Sequence, residues 1–125
     1  MRGWLRVAPP ILILIAIGTY CAFPHPTHDD ATLRAIAGEA QRLIAAHPIS
    51  PRTQPVEIPR NEWPSVIVSL EPASVTVRGG MVDITMKPYF DGGWGYGFAA
   101  NKQSLTMLPD CWSHLSYNVY WHGPC

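Results

Sequence analysis

The sequence predicts an α+β domain that follows a short apolar segment. Three patterns support this: an uncharged apolar run at residues 7–23, a helical repeat of apolar residues between His28 and His47, and an alternating pattern that starts at Ser65. One amphipathic helix followed by four to six short strands is typical of a small antiparallel sheet with the helix packed across its apolar face. The chain of 125 residues can hold one such domain after the apolar run, but not two.

The apolar run is interpreted as a membrane anchor or a signal peptide occupying residues 1–23. At 1.5 Å per residue it would span about 26 Å, near the lower limit for crossing a bilayer. Its uninterrupted part, from Ile11 onward, has the length of a signal-peptide core. The first hypothesis is an uncleaved single-pass anchor. Cleavage followed by secretion is the alternative, and a buried helix in a soluble fold is a third.

Charge around the apolar run predicts the orientation of the chain. Arg2 and Arg6 precede the run, and no lysine or arginine follows it before Arg34. Positive charge normally stays on the cytoplasmic side of a membrane. We therefore expect a cytoplasmic N-terminus and a single extracytoplasmic domain at residues 24–125, which would be periplasmic in a bacterium.

Residues 24–47 are predicted to contain the amphipathic helix. Thr27 is expected to cap its N-terminus, with Asp29 and Asp30 complementing the helix dipole in the first turn. Pro48 ends the repeat. Apolar residues recur with the spacing of one helical face at Leu33, Ile36, Ala37, Ala40, Leu43 and Ile44.

Residues 48–64 contain five prolines and show no periodicity. This composition predicts a stiff, extended connector that lies over the domain surface.

Residues 65–125 are predicted to form the antiparallel β region. Alternating apolar residues predict strands at 65–70, 74–78 and 82–87, with a tight glycine turn at 79–80. A strand carrying Trp94, Tyr96 and Phe98 on one side is expected next. A short strand within 104–108 and a single final strand at 115–121 complete the prediction.

The glycine- and aromatic-rich stretch DGGWGYGF is the most distinctive local motif. Trp94, Tyr96 and Phe98 could stack on a sugar ring or a peptide, and the glycines between them would leave room for a flat ligand. These three residues are the predicted ligand-binding site. The alternative is that the aromatic rings fill the core and the glycines allow another segment to approach closely.

The C-terminus contains a symmetric pair of motifs, Cys111-x-x-His114 and His122-x-x-Cys125. Outside the cytoplasm, two cysteines in a small domain favour a disulfide between Cys111 and Cys125. Bridged Cα atoms must lie within about 7 Å. A straight strand at 115–121 would cover about 23 Å, so both flanks would have to fold back. The third cysteine, Cys21, lies in the apolar run and is expected to stay unpaired.

The same four C-terminal residues support two alternative hypotheses. Cys111 and His114 could supply the thiol nucleophile and the base of a small thiol-dependent hydrolase. Cys111, His114, His122 and Cys125 together resemble the ligands of a metal-binding module. The sequence contains no GxSxG, HExxH, CxxC or P-loop motif. We therefore predict no catalytic residues, no metal and no cofactor.

Charge and composition limit the class of partner. The formal net charge is zero, only 14% of residues are charged, and no cluster of lysine and arginine occurs. Nucleic acid is therefore a poor candidate and we expect no nucleic-acid partner, because binding it normally needs several phosphate-neutralising cations on one face. We expect a non-enzymatic binding module attached to the membrane through residues 7–23, with an envelope protein or polymer as its partner.

Overall fold

The computed structural model describes residues 13–15, 17–18, 22–48 and 54–125. Within these residues one long helix packs on a six-stranded antiparallel sheet, which confirms the predicted α+β class. The helices are α1 (Asp30–Ala46) and the short α2 (Ser65–Ser69). The strands, in their order across the sheet, are β1 (Val56–Glu57), β2 (Ser74–Arg78), β3 (Met81–Lys87), β4 (Trp94–Ala99), β6 (Val119–His122) and β5 (Trp112–Ser116).

The predicted anchor or signal segment, residues 1–23, is described only in part. Residues 13–15, 17–18 and 22 are helical. No helix within the described ranges is long and apolar enough to cross a membrane. Phe23 is also described, whereas the other residues of the segment, including Cys21, lie outside the described residues.

Helix α1 buries the face that the sequence predicts. Ile44, at the edge of that face, is partly buried against the same core. The N-cap is Asp29 rather than Thr27, because the helix begins at Asp30 and the Asp29 carboxylate accepts a hydrogen bond from the Thr32 N–H at 2.8 Å. The buried residues are Leu33, Ile36, Ala37, Ala40 and Leu43.

The strand predicted at residues 65–70 is wrong, because this segment forms α2. Pro64 precedes the helix at its N-cap, and Ile67 is fully buried against α1 and the sheet. A short apolar run fits a strand or a single helical turn equally well. Packing against α1 decides between them, and the chain then turns sharply at Glu71, whose φ is 56°.

The proline-rich connector, residues 48–64, contributes more than the sequence predicts. Its residues 49–53 lie outside the described part of the chain. Val56 and Glu57 form the edge strand β1 against β2. Ile58, which is 1% exposed, enters the core and donates its N–H to the Val75 carbonyl at 2.8 Å.

The C-terminal half departs from the prediction at two places. The prediction of a short strand within 104–108 is wrong, because a 3-10 turn at Lys102–Ser104 is followed by irregular backbone. The single strand at 115–121 is also wrong: Tyr117 and Asn118, with φ of 54° and 61°, form a tight turn between β5 and β6. Two central residues in the left-handed region match the twist of a two-residue hairpin.

The sheet is covered on both faces. Helix α1 and α2 cover the face that carries Ile84, Tyr96 and Phe98. The opposite face, called the outer face here, is partly covered by the connection of residues 100–111. Leu105 of that connection packs with four strand residues, Met81, Ala99, Trp112 and Tyr120, in a second apolar cluster.

Candidate binding site on the outer face of the sheet

The glycines of β4 make room on the outer face for an indole ring. A Cβ placed on Gly97 would lie 2.5 Å from Cζ3 of Trp112 and 3.2 Å from Cδ2 of Leu105. A Cβ on Gly95 would lie 3.2 Å from Nε2 of His122. The absence of side chains at these two positions therefore allows Trp112 and His122 to lie directly on the sheet.

His122 is buried on this face with only 2% of its surface exposed. Its Nδ1 lies 3.0 Å from the Gly93 carbonyl oxygen, which can only accept a hydrogen bond. In the neutral ring Nδ1 therefore carries the proton and Nε2 is an acceptor. Trp112 packs edge-on against the ring, with 4.5 Å between centroids.

Three polar atoms next to this ring have no hydrogen-bond partner among the described residues. They are Nε2 of His122, Oδ1 of Asp83 and Nε1 of Trp112. The His122 and Asp83 atoms lie 3.9 Å apart, and the Asp83 side chain is 31% exposed. Buried polar atoms almost always have a partner in folded proteins, so unpaired ones mark a place where a further polar group can bind.

A groove of about 390 Å³ opens beside Asp83 on the outer face. Cross-strand pairing places Glu57, Thr76 and Asp83 in one row across β1, β2 and β3. Thr106, from the connection that covers the second cluster, completes the lining. The lining residues are Pro55, Glu57, Thr76, Arg78, Met81, Asp83 and Thr106.

The groove carries both signs of charge. Glu57 and Asp83 supply two carboxylates, and Arg78 supplies a guanidinium. Within the part of the chain that the structure describes, Arg78 forms no ion pair with either carboxylate. All three groups can therefore interact with a bound molecule.

The predicted ligand-binding residues lie on the other face of β4. Tyr96 and Phe98 are 3% and 2% exposed and belong to the core beneath α1. Burial raises the pKa of the Tyr96 hydroxyl, which accepts a hydrogen bond from the Thr27 N–H at 2.7 Å. Trp94 is partly exposed and stacks on Phe23. Ligand binding by these three residues stays a prediction, and of the three only Trp94 is accessible at the surface.

The predicted disulfide is present between Cys111 and Cys125. Their Cα atoms lie 5.8 Å apart. The hairpin of β5 and β6 brings the two cysteines together, because Trp112 pairs with His122 and the cysteines continue the two strands. The prediction of one straight strand at 115–121, which would separate its two ends by about 23 Å, is therefore wrong.

The two histidines of the C-terminal motifs have different surroundings. His114 is exposed and packs edge-on against Tyr120, with 5.2 Å between centroids, whereas His122 is buried. Among the described residues no group of three or more His, Cys, Asp or Glu side chains could hold a metal ion. The disulfide also occupies the Cys111 sulfur that both the thiol hydrolase and the metal module would need.

Sequence reasoning did not single out Glu57, Arg78 and Asp83, which line the candidate groove. Arg78 and Asp83 occupy the polar positions of alternating strands, which gives no signal beyond a solvated face. Glu57 lies in the connector, where no strand is predicted. In comparisons with known proteins, no family model, no curated protein and no solved structure matches this chain.

Proposed function

We propose that this protein is a membrane-tethered extracytoplasmic domain that binds a partner in the outer-face groove and carries out no catalysis. The observation that carries the proposal is the groove itself, with its row of Glu57, Thr76 and Asp83 beside Arg78. Its volume of about 390 Å³ lies within the range of about 300–1,000 Å³ typical of ligand pockets.

The charges of the groove indicate the chemistry of the partner. A cation of the partner would face Glu57 and Asp83, and an anion would face Arg78, which can hold a carboxylate with two parallel hydrogen bonds. An extended peptide segment of an envelope protein with neighbouring charges of opposite sign meets these requirements. An envelope polymer carrying amino and carboxylate groups is the second candidate.

The tether is supported by the sequence. Residues 7–23 are uncharged, and the basic residues Arg2 and Arg6 precede them, which favours an extracytoplasmic domain. The Cys111–Cys125 disulfide agrees with this location, because disulfides form and persist in oxidising compartments.

Binding is favoured over catalysis by the state of the reactive groups. Thiol chemistry needs a free thiolate beside a base, whereas the Cys111 sulfur is bonded to Cys125. His122 directs Nδ1 to the Gly93 carbonyl, and its Nε2 lies 3.9 Å from a carboxylate oxygen of Asp83 rather than beside a thiol or hydroxyl that it could activate as a nucleophile.

Two measurements on the full chain test the proposal. The first is the activity of alkaline phosphatase fused after Cys125 in a bacterial host, which is high only if the C-terminus lies outside the cytoplasm. The second is photo-crosslinking from a benzophenone amino acid at Thr76, in the groove, compared with the same probe at Gln41, on the exposed side of α1.

We expect a defined peptide or polymer adduct from position 76, little from position 41, and a several-fold loss of that adduct in Arg78→Ala. Mass spectrometry of the adduct identifies the class of partner. Equal labelling from both positions, or an adduct that survives Arg78→Ala unchanged, would rule out the groove as the binding site. An inactive fusion would rule out the proposed topology.

A further inference from the structure

Four aromatic side chains form a patch where β3 ends and β4 begins. This aromatic patch consists of Phe23, Tyr89, Phe90 and Trp94. Phe23 stacks on Trp94 with 5.0 Å between centroids, and Tyr89 lies 6.0 Å from Trp94 and 4.7 Å from Phe90. Tyr89 and Phe90 are 54% and 89% exposed. A cluster of exposed aromatic rings such as this one indicates a surface that is covered by apolar material from outside the domain.

A lysine lies within the aromatic patch. Nζ of Lys87 is 5.0 Å from the Phe23 ring centroid and 5.6 Å from that of Trp94, and it donates a hydrogen bond to the Ala22 carbonyl at 3.3 Å. The nearby acidic residue Asp91 has Oδ1 buried inside the protein. Tryptophan, tyrosine and lysine are the residues that favour the boundary between lipid and water, and a cation there is attracted by anionic headgroups.

The aromatic patch is continuous with the segment that we propose enters the membrane. Phe23 is the last residue of the apolar run 7–23, and its ring is held against Trp94. The point where the chain would leave the bilayer is therefore fixed against this end of the sheet. This continuity identifies the lipid surface as the phase that covers the patch.

The groove lies toward the opposite end of the same strands. Arg78 pairs with Met81 at the start of β3, whereas Lys87 pairs with Trp94 at its end. A domain that rests on its aromatic patch would therefore hold the groove toward the end of the sheet that is farther from the bilayer.

We propose that the aromatic patch seats the domain on the lipid headgroups of the membrane that holds residues 7–23, so that the groove lies toward the end of the sheet away from that membrane. This proposal rests on the membrane tether of the proposed function. Phe90 enters the boundary between headgroups and acyl chains, and Lys87 lies at the level of the phosphates. The domain is thereby oriented on the surface rather than left to rotate on its tether.

Lipid photo-crosslinking of the full chain tests the proposal. The protein is reconstituted in vesicles of phosphatidylethanolamine and phosphatidylglycerol, with a benzophenone amino acid at Phe90. The matched control carries the probe at Tyr117, another exposed aromatic position, which lies beyond the Ala99 end of β4. Flotation of the vesicles first separates bound from unbound protein.

We expect the protein to float with the vesicles and to form several-fold more lipid adduct from position 90 than from position 117. Protein that floats but labels lipid equally from both positions, or that forms a covalent protein dimer from position 90, would overturn the seating and leave the tether in place. Protein that does not float would overturn both.

Discussion

The indole ring of Trp112 lies directly on Gly97, in the space that a Cβ on that residue would occupy. The added atom would lie 2.5 Å from Cζ3 and 2.7 Å from Cη2 of the ring, closer than real Cβ atoms approach. Trp112 is 3% exposed and packs within the second apolar cluster. The contact between strands β4 and β5 on the outer face therefore depends on glycine at position 97.

Gly97→Ala should destabilise the protein by about 1–3 kcal/mol, because the methyl group forces the Trp112 ring out of its packed position. Urea unfolding monitored by tryptophan fluorescence measures the change. The matched control is Gly38→Ala on the exposed side of α1, where a Cβ would have no neighbour within 4 Å. This control should raise the stability by up to about 1 kcal/mol. Equal effects from the two substitutions would contradict the close contact.

The disulfide should contribute substantially to stability. Cys111 and Cys125 are 14 residues apart in sequence, and closing a loop of that length stabilises a fold by about 3 kcal/mol in the chain-entropy account. The double variant Cys111→Ser with Cys125→Ser should lose about this amount in urea unfolding. Reduced wild-type protein is the control and should unfold at the same urea concentration as the variant. A variant as stable as the oxidised wild type would contradict the prediction.

Asn118→Ala should destabilise the protein by about 1–2 kcal/mol, because the Cβ of alanine is strained in the left-handed backbone conformation that position 118 adopts, with φ 61°. Asn118→Gly should be tolerated, since glycine adopts positive φ freely. Asn61→Ala is the matched control, as Asn61 has no positive φ. Thermal unfolding followed by circular dichroism compares the three variants. If Asn118→Ala behaved like Asn61→Ala, the tight turn would be excluded.

The Asp29 cap should make stability depend on pH in the acidic range. Hydrogen bonds from the Thr32 hydroxyl and then from its backbone N–H hold the pKa of the Asp29 carboxyl below its ordinary value of 3.8. A depressed folded pKa stabilises the protein above the ordinary value, and this contribution disappears as the pH falls through the folded pKa. Asp29→Ala should therefore lower Tm at neutral pH.

The difference in Tm between wild type and Asp29→Ala should shrink as the pH falls below 3.8. Asp29→Asn is the control, because the amide oxygen can still cap α1 but does not titrate in this range. A Tm difference that is independent of pH would show that the Asp29 charge has no part in capping.

Tyr96→Phe should destabilise the protein by about 1 kcal/mol, because the Thr27 N–H loses its acceptor. The same substitution should also make the Tm of the protein less sensitive to alkaline pH. Burial raises the pKa of Tyr96 above its ordinary value of 10.0, so its contribution is complete below pH 10.0 and disappears as the pH rises through the higher folded pKa.

The measurement for Tyr96 is Tm as a function of pH from neutral to alkaline conditions. The exposed Tyr89 provides the control variant, Tyr89→Phe, which should follow the wild-type curve. A Tyr96→Phe curve that falls as steeply as the wild type above pH 10.0 would exclude the buried hydroxyl as its cause.

Local periodicity predicts the elements whose own residues specify them. The spacing of Leu33, Ile36, Ala40 and Leu43 is typical of a helix that buries one face, and α1 buries that face. Strands β2 and β3 alternate cleanly around a glycine turn and form as predicted. The α+β class follows from these elements, because a helix with one apolar face and a sheet with one apolar face bury each other.

Tertiary structure decides the elements whose local signal is ambiguous. Residues 65–70 fit a strand or a helix, and the packing of Ile67 makes them helical. Tyr117 is an unusual residue for a tight turn. Its hydroxyl donates to Oδ1 of Asp30 at 2.7 Å and accepts from Nη2 of Arg34 at 2.8 Å. These contacts join Tyr117 to residues of α1 that are more than 80 positions away in the sequence, so no local sequence pattern can predict them.

The sequence by itself determined the fold class, the main helix, two central strands and the cysteines that pair, because each depends on residue type and short-range spacing. Only the tertiary structure decided where those cysteines meet and where the candidate groove lies. The hairpin joins Cys111 to Cys125, and the groove draws Glu57, Arg78 and Asp83 from three separate strands. Cross-strand register sets these distances, and register results from packing of the whole sheet rather than from any single segment.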